Sequence, residues 1–169
     1  MQTIVNKTFK EIAPGDAATV QRTLQAGDVR AWAAAFGDVD MLAGPAESQG
    51  AAGIVMAILT ALVGSALPGP GASIRTTSVQ IKGALPIGTA MTARLVVREK
   101  RLDHGIVVLD GQCTDPTGRV FATAILEVLA PTTRQRHQVA EHRLEGLVER
   151  NMLSNAGHTR GECKECKPC

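Results

Sequence analysis

Two stretches of the chain have apolar patterns that predict helices, and the two patterns differ. Residues 27–36 carry apolar side chains at helical spacing, at Val29, Trp32, Ala33 and Phe36. Residues 51–66 are uncharged and apolar on every side, which predicts a helix that other elements must cover. The Leu-Pro-Gly-Pro-Gly sequence at residues 67–71 ends this second helix, because proline and glycine do not continue it.

Five segments have the composition of β-strands, and turn sequences separate the last three. The strand-like segments are residues 17–23, 73–82, 90–101, 105–114 and 119–130. Asp103-His104-Gly105 and Asp115-Pro116-Thr117-Gly118 have turn composition, so the later strands should form an antiparallel meander. One long apolar helix with one curved antiparallel sheet predicts an α+β domain in which the sheet wraps around the helix.

Composition and charge argue against nucleic acid as a partner, and the length of the apolar stretch argues against a membrane span. The chain has 169 residues, 44% of them hydrophobic and 20% charged, which fits one globular domain with a tail. Aromatic residues make up 2% and the net charge is +2, so few rings and little excess charge are present to bind nucleic acid. The uncharged stretch at 51–66 is shorter than the roughly 20 residues of a membrane span. Met1 to Lys10 contains no signal-peptide pattern, so we expect a cytoplasmic protein.

The character of the sequence changes after residue 131. Residues 132–153 alternate charged and apolar positions and predict an amphipathic helical extension. Residues 154–169 have no periodicity and predict a disordered tail. This tail contains Cys163, Cys166 and Cys169, a spacing that zinc sites use. Because no ordered framework is predicted around these thiols, we expect no metal site there.

Four segments resemble one known family. They are Ala35-Phe36-Gly37-Asp38, residues 60–71, residues 81–88 and residues 120–131. Together they resemble the MaoC-like, (R)-specific enoyl-CoA hydratase branch of the hot dog fold, and most of all the hydratase-like domain that precedes phosphotransacylase in bacterial fusion proteins. The resemblance covers about residues 7–131 and implies a hot dog domain over residues 1–131, with an antiparallel sheet wrapped around one long apolar central helix.

The resemblance also implies a chemistry, and one expected residue is missing. The family pattern Gly-Asp-x-Asn-Pro-x-His corresponds to Gly37-Asp38-Val39-Asp40-Met41-Leu42-Ala43, so Ala43 stands where the catalytic histidine is expected. A second family motif, His-Gly-Met, corresponds to Ala51-Ala52-Gly53. Hydration of an enoyl thioester needs a base that takes a proton from water and donors that stabilise the oxyanion. Loss of the base should make hydration slow.

Four residues are the candidates for hydration, and we expect no cofactor. Asp38 and Asp40 are the candidate proton carriers, because neighbouring carboxylates can raise one another's pKa. The backbone N–H groups of Ala52 and Gly53 are the candidate oxyanion donors, since a helix N-terminus offers unpaired donors and needs no side chain for this.

Three functions follow as alternatives. The first is a hydratase or dehydratase homologue with weak or redirected activity in fatty acid metabolism. The second is an acyl-CoA thioesterase that uses a carboxylate, Asp38 or Glu47, and the third is a non-catalytic acyl-CoA-binding or assembly module. In each case the expected ligand is an acyl-CoA or acyl-carrier thioester. A homodimer or higher homo-oligomer is expected, because a single sheet has exposed edges.

Overall fold

Two helices and seven strands make up the described part of the chain, residues 2–38 and 51–139 of a computed structural model. In chain order they are β1 (Gln2–Val5), β2 (Ala17–Thr23), α1 (Ala26–Phe36), α2 (Ala51–Ser65), β3 (Ser73–Ile81), β4 (Ala90–Arg101), β5 (Ile106–Thr114), β6 (Val120–Leu129) and β7 (Arg136–Val139). The chain divides into a compact unit of residues 4–137 and a second unit of the two chain ends, residues 1–3 with 138–169. Of the second unit only residues 2–3 and 138–139 are described.

Five strands form one antiparallel sheet in the order β2-β4-β5-β6-β3. β4, β5 and β6 are neighbours in both sequence and space, which confirms the predicted meander. Residues that face each other across these strands are apolar on one side of the sheet, as in the pairs Leu95 with Gly111 and Leu109 with Leu126. The buried side chains of this side therefore form one half of the core.

Helix α2 supplies the other half of the core. Its buried residues are Ile54, Val55, Leu59, Leu62 and Val63, and the helix contacts β2, β3 and β4. Leu59 is fully buried, and its Cδ1 lies 3.2 Å from the place that a β-carbon on Gly111 would occupy. Glycine at this position of β5 therefore lets the helix approach the sheet closely.

Residues 67–70 of the Leu-Pro-Gly-Pro-Gly turn are buried, and backbone hydrogen bonds join the turn to α2 and to the start of the chain. The Gly69 N–H donates to the Val63 carbonyl at 2.8 Å, and the Lys7 N–H donates to the Pro68 carbonyl at 2.8 Å. Gly69 has φ +96°, and a β-carbon there would lie 3.0 Å from the Cα of Asn6. The positive φ and the close approach both require glycine, so this part of the motif serves packing.

One prediction fails within the described residues. In the stretch 132–153, where an amphipathic helix is expected, Arg136–Val139 is strand β7, and it pairs with β1 in a separate two-stranded sheet. Backbone pairing with a strand from the other end of the chain decides the conformation here. Residues 140–153 and the predicted tail at 154–169 lie outside the described residues.

Candidate functional site

The candidate catalytic residues follow helix α1. Gly37 ends this helix in the left-handed conformation, with φ +68°, and the N–H of Asp38 donates to the Ala33 carbonyl at 2.9 Å. This cap fixes the backbone of Asp38, which is half-buried. Asp40, Ala43 and Glu47 lie outside the described residues, so the pairing of Asp38 with Asp40 stays a prediction.

The candidate oxyanion donors lie in the first turn of α2. Ala52 is exposed and Gly53 is half-buried. The first four N–H groups of an α-helix have no partner within the helix, and the positive end of the helix dipole lies at the same place. Ala52 and Gly53 both belong to this turn, because α2 starts at Ala51.

Trp32 on α1 packs directly against this turn. A β-carbon on Gly53 would lie 2.9 Å from Cζ2 of the indole and 3.4 Å from its Cε2 and Nε1. Gly53 thus has a packing role besides any role of its N–H. The ring of Phe36 lies 4.4 Å from the Trp32 ring, centroid to centroid, and Phe36 is largely exposed.

A groove runs along one face of α2, beginning at its first turn. Six residues of the helix line it: Ile54, Ala57, Ile58, Ala61, Leu62 and Ser65. They follow the i, i+3, i+4, i+7, i+8, i+11 spacing of one helix face. The first and the last are 11 residues apart, which corresponds to roughly 16 Å of helix at 1.5 Å per residue. This α2 groove has a volume of about 280 Å³, and its floor is apolar.

Strand β2 and helix α1 form the walls of the α2 groove. Val20, Arg22 and Leu24 line it from β2 and the residue after it, and Asp28 and Trp32 line it from α1. Arg22 pairs with Met91 across the sheet, and Met91 is buried in the core. Because directly opposed residues in an antiparallel pair share a face, Arg22 lies on the helix side of the sheet. Sequence reasoning missed this arginine, although its alternation with Val20 is the signal that could have found it.

A second groove lies on the opposite side of the sheet and is more polar than the α2 groove. Its walls include Ser78, Gln80, Arg94, Gln112 and Thr123, and its volume is about 370 Å³. The Arg98 guanidinium donates to the Asp110 carboxylate there, an ion pair that raises the pKa of Arg98. An apolar ligand would gain less from this surface than from the α2 groove.

No nucleophile or metal cluster stands out elsewhere in the described residues. Cys113 is fully buried, and burial raises its pKa to about 11, so its thiol is neutral and inert at pH 7. His104 is in the exposed turn between β4 and β5, with its Nε2 2.9 Å from Asp103. Within residues 2–38 and 51–139, no three His, Cys, Asp or Glu side chains come together as a metal site would require. Neither described helix is both long enough and apolar enough to cross a bilayer.

Solved structures share this architecture at low sequence identity. The R-hydratase PhaJ1 from Pseudomonas aeruginosa superposes with a TM-score of 0.75 at 19% identity, covering 83% of this chain and 96% of that one. The (R)-hydratase from A. caviae involved in PHA biosynthesis gives a TM-score of 0.66 at 23% identity, covering 72% and 99%. A hot-dog-like protein from Thermanaerovibrio acidaminovorans gives 0.51 at 17% identity, covering 83% and 93%. The chain has the hot dog fold.

The predicted fold class is therefore confirmed, with α2 as the central helix of the hot dog fold and β2 to β6 as its sheet. No protein-family model matches the chain, and no curated protein matches it. The hot dog fold accounts for the position of α2 against the sheet. The fold alone does not specify the chemistry at the first turn of α2.

Proposed function

We propose that this protein is a MaoC-like hot dog protein that binds an acyl thioester, with the acyl chain in the α2 groove and the thioester oxygen at the first turn of α2. One observation carries the proposal. The lining of the apolar α2 groove begins at Ile54, next to Ala52 and Gly53 in the first turn of α2, and we propose that one ligand uses the groove and the N–H groups together. The structural similarity to two (R)-hydratases supports the same ligand class.

The chemistry proposed for this site is hydration of an enoyl thioester at a reduced rate. A base takes a proton from water, the water oxygen bonds to the β-carbon, and the negative charge that develops on the thioester oxygen is stabilised by the N–H groups of Ala52 and Gly53. The α-carbon then takes up a proton. Asp38 and Asp40 are the proposed proton carriers. Because Ala43 replaces the histidine of the family pattern, we expect a rate about 10²–10⁴-fold below that of a hydratase with its general base.

Oligomerisation belongs to the same proposal. β2 and β3 are the outer strands of the five-stranded sheet, and Met56 on α2 and Ile81 on β3 are exposed apolar residues. We propose a homodimer or higher homo-oligomer in the cytoplasm that covers one of these edges. Sedimentation equilibrium measures the mass of this oligomer directly.

Three assays on the same protein preparation separate the functions. Titration calorimetry with hexanoyl-CoA measures binding, the loss of absorbance of crotonyl-CoA measures hydration, and thiol release from butyryl-CoA measures hydrolysis. We expect clear binding of hexanoyl-CoA and slow hydration of crotonyl-CoA. Asp38→Asn should lower the hydration rate further. The control Asp103→Asn, in the β4–β5 turn, should change neither the affinity nor the rate. Thiol release with no hydration would instead identify a thioesterase, and binding with no turnover a binding module. Absence of binding by all three CoA esters would refute the proposal.

A further inference from the structure

A charged residue lies on the apolar side of the sheet. Arg22 shares the helix-facing side of β2 with Ala18 and Val20, which face Leu95 and Ala93 across the strand pair. Both partners are buried in the core. Arg22 itself is exposed and lines the α2 groove, so its side chain lies where the apolar wall of this groove meets solvent.

The Arg22 guanidinium makes no ion pair or hydrogen bond with any residue that the structure describes. Among the described residues that line the α2 groove, the other charged side chain is Asp28. The Asp28 carboxylate accepts the N–H of Gln25 at 2.9 Å and lies in the first turn of α1, where the helix dipole favours a negative charge. Asp28 therefore has a capping role, and the charge of Arg22 has no described counterpart.

We infer that Arg22 binds a carboxylate at the far end of the acyl chain, so that the ligands of the α2 groove include dicarboxylic acyl thioesters. This inference rests on the proposed function. Because Arg22 lines the groove assigned to the acyl chain, the ligand atoms that it meets belong to that chain. A guanidinium and a carboxylate form two parallel charge-assisted hydrogen bonds, whereas a methyl end gains nothing from this cation.

A purely structural role for Arg22 makes a different prediction. An inward-pointing charge on an outer strand also discourages edge-to-edge pairing between molecules. In that case the substitution Arg22→Gln would increase self-association and would leave the choice between ligands unchanged. The two roles can therefore be separated by measuring ligand preference and association state on the same variants.

The experiment compares adipoyl-CoA with hexanoyl-CoA, which share the six-carbon chain and the nucleotide and differ only at the chain end. The measured quantity is the ratio of the Kd of hexanoyl-CoA to that of adipoyl-CoA. We expect Arg22→Gln to lower this ratio about tenfold, as expected for loss of a charge-assisted hydrogen bond. Arg22→Lys should retain part of the preference. The control Arg75→Gln removes an exposed arginine from the other outer strand, β3, and should leave the ratio unchanged.

Two results would overturn the inference, and they differ in what else they refute. If both thioesters bind and Arg22→Gln and Arg22→Lys leave the ratio at the wild-type value, the role of Arg22 in binding is refuted while the proposed function stands. An increase in self-association of Arg22→Gln would then assign the residue to edge protection. If neither thioester binds the wild-type protein, the proposed function and this inference fail together.

Discussion

The indole of Trp32 lies so close to Gly53 that a β-carbon on this glycine would be 2.9 Å from Cζ2 of the ring. This contact joins α1 to the first turn of α2. Trp32 also lines the α2 groove, so one side chain both fixes the turn that carries the candidate oxyanion donors and forms a wall for the proposed acyl chain. The position of Trp32 should therefore affect stability and binding together.

Gly53→Ala tests this contact. The added methyl group overlaps the indole, so the ring or the helix must move, and overpacking of this kind costs about 1–3 kcal/mol. We expect lower stability, weaker binding of hexanoyl-CoA and a shift in fluorescence emission, which reports on Trp32 because it is the single tryptophan of the chain.

Gly64→Ala is the matched control in the same helix. A β-carbon on Gly64 would meet nothing within 4 Å, so alanine should stabilise α2 by its higher helix propensity, at most about 1 kcal/mol. The emission of Trp32 should not change. If Gly53→Ala stabilised the protein as much as Gly64→Ala does and left the Trp32 emission unchanged, this would contradict the contact between Trp32 and Gly53.

Leu59 and Gly111 should be energetically coupled. Leu59→Ala leaves a cavity under α2 and should destabilise the protein by about 2–5 kcal/mol. Gly111→Ala places a methyl group 3.2 Å from Leu59 Cδ1 and 3.2 Å from Ala124 Cβ, a tight fit in the wild-type core. Leu59→Ala removes the first of these two contacts. The double variant should therefore lose less stability than the sum of the losses in the two single variants. Urea unfolding of all four proteins measures the coupling, and strict additivity would argue against this packing.

Asp115 should contribute stability that depends on pH. Its carboxylate accepts hydrogen bonds from the side chain and N–H of Thr117, at 2.6 and 2.9 Å, and from Arg119. The hydrogen bond from the Thr117 hydroxyl lowers the pKa of Asp115 most, and burial, the second largest cause, opposes it. With the hydrogen bonds from Arg119 and from the Thr117 N–H, the net effect holds this pKa below its ordinary value of 3.8. A lowered pKa in the folded state means that the stabilisation is complete above the unfolded pKa and is lost as the pH falls through the folded one.

Asp115→Asn should therefore be less stable than wild type at pH 7, and the difference should shrink as the pH falls below about 4. Thermal unfolding between pH 7 and pH 2 measures it. Asp103→Asn, in the other hairpin turn of the meander, controls for general effects of removing a carboxylate. A difference between wild type and Asp115→Asn that stays constant over the whole range would be inconsistent with the hydrogen-bonded turn.

Local patterns were enough to predict most of the fold. The apolar run that became α2 and the segments that became β4, β5 and β6 differ from their predicted limits by one residue at most, because periodicity and turn residues act over short distances. Strands β1 and β7 were both missed, since they pair with each other across more than 130 residues of sequence and leave no local signal. The likeness to a domain that precedes phosphotransacylase stays a prediction.

The candidate site could be predicted only in part. Asp38, Ala52 and Gly53 were identified from a motif. Asp38 follows α1 and the other two lie in the first turn of α2, and their roles as proton carrier and oxyanion donors stay predictions. The contact between Trp32 and Gly53 was not predictable, because it depends on how two helices pack. The roles of Asp40 and Ala43 remain predictions, since both residues lie outside the described part of the chain.

The most direct test of the proposed acyl site measures how acyl-CoA affinity depends on the length of the acyl chain. The wild-type protein is compared with a variant in which a side chain fills the α2 groove. Calorimetric titration with butyryl-, hexanoyl- and octanoyl-CoA should show affinity rising by up to about 0.8 kcal/mol per methylene in the wild-type protein. Ala61→Phe places a ring in the groove and should abolish this rise, whereas Met56→Phe, on an exposed part of α2 outside the groove lining, should preserve it. An unchanged rise in Ala61→Phe would show that the acyl chain binds elsewhere.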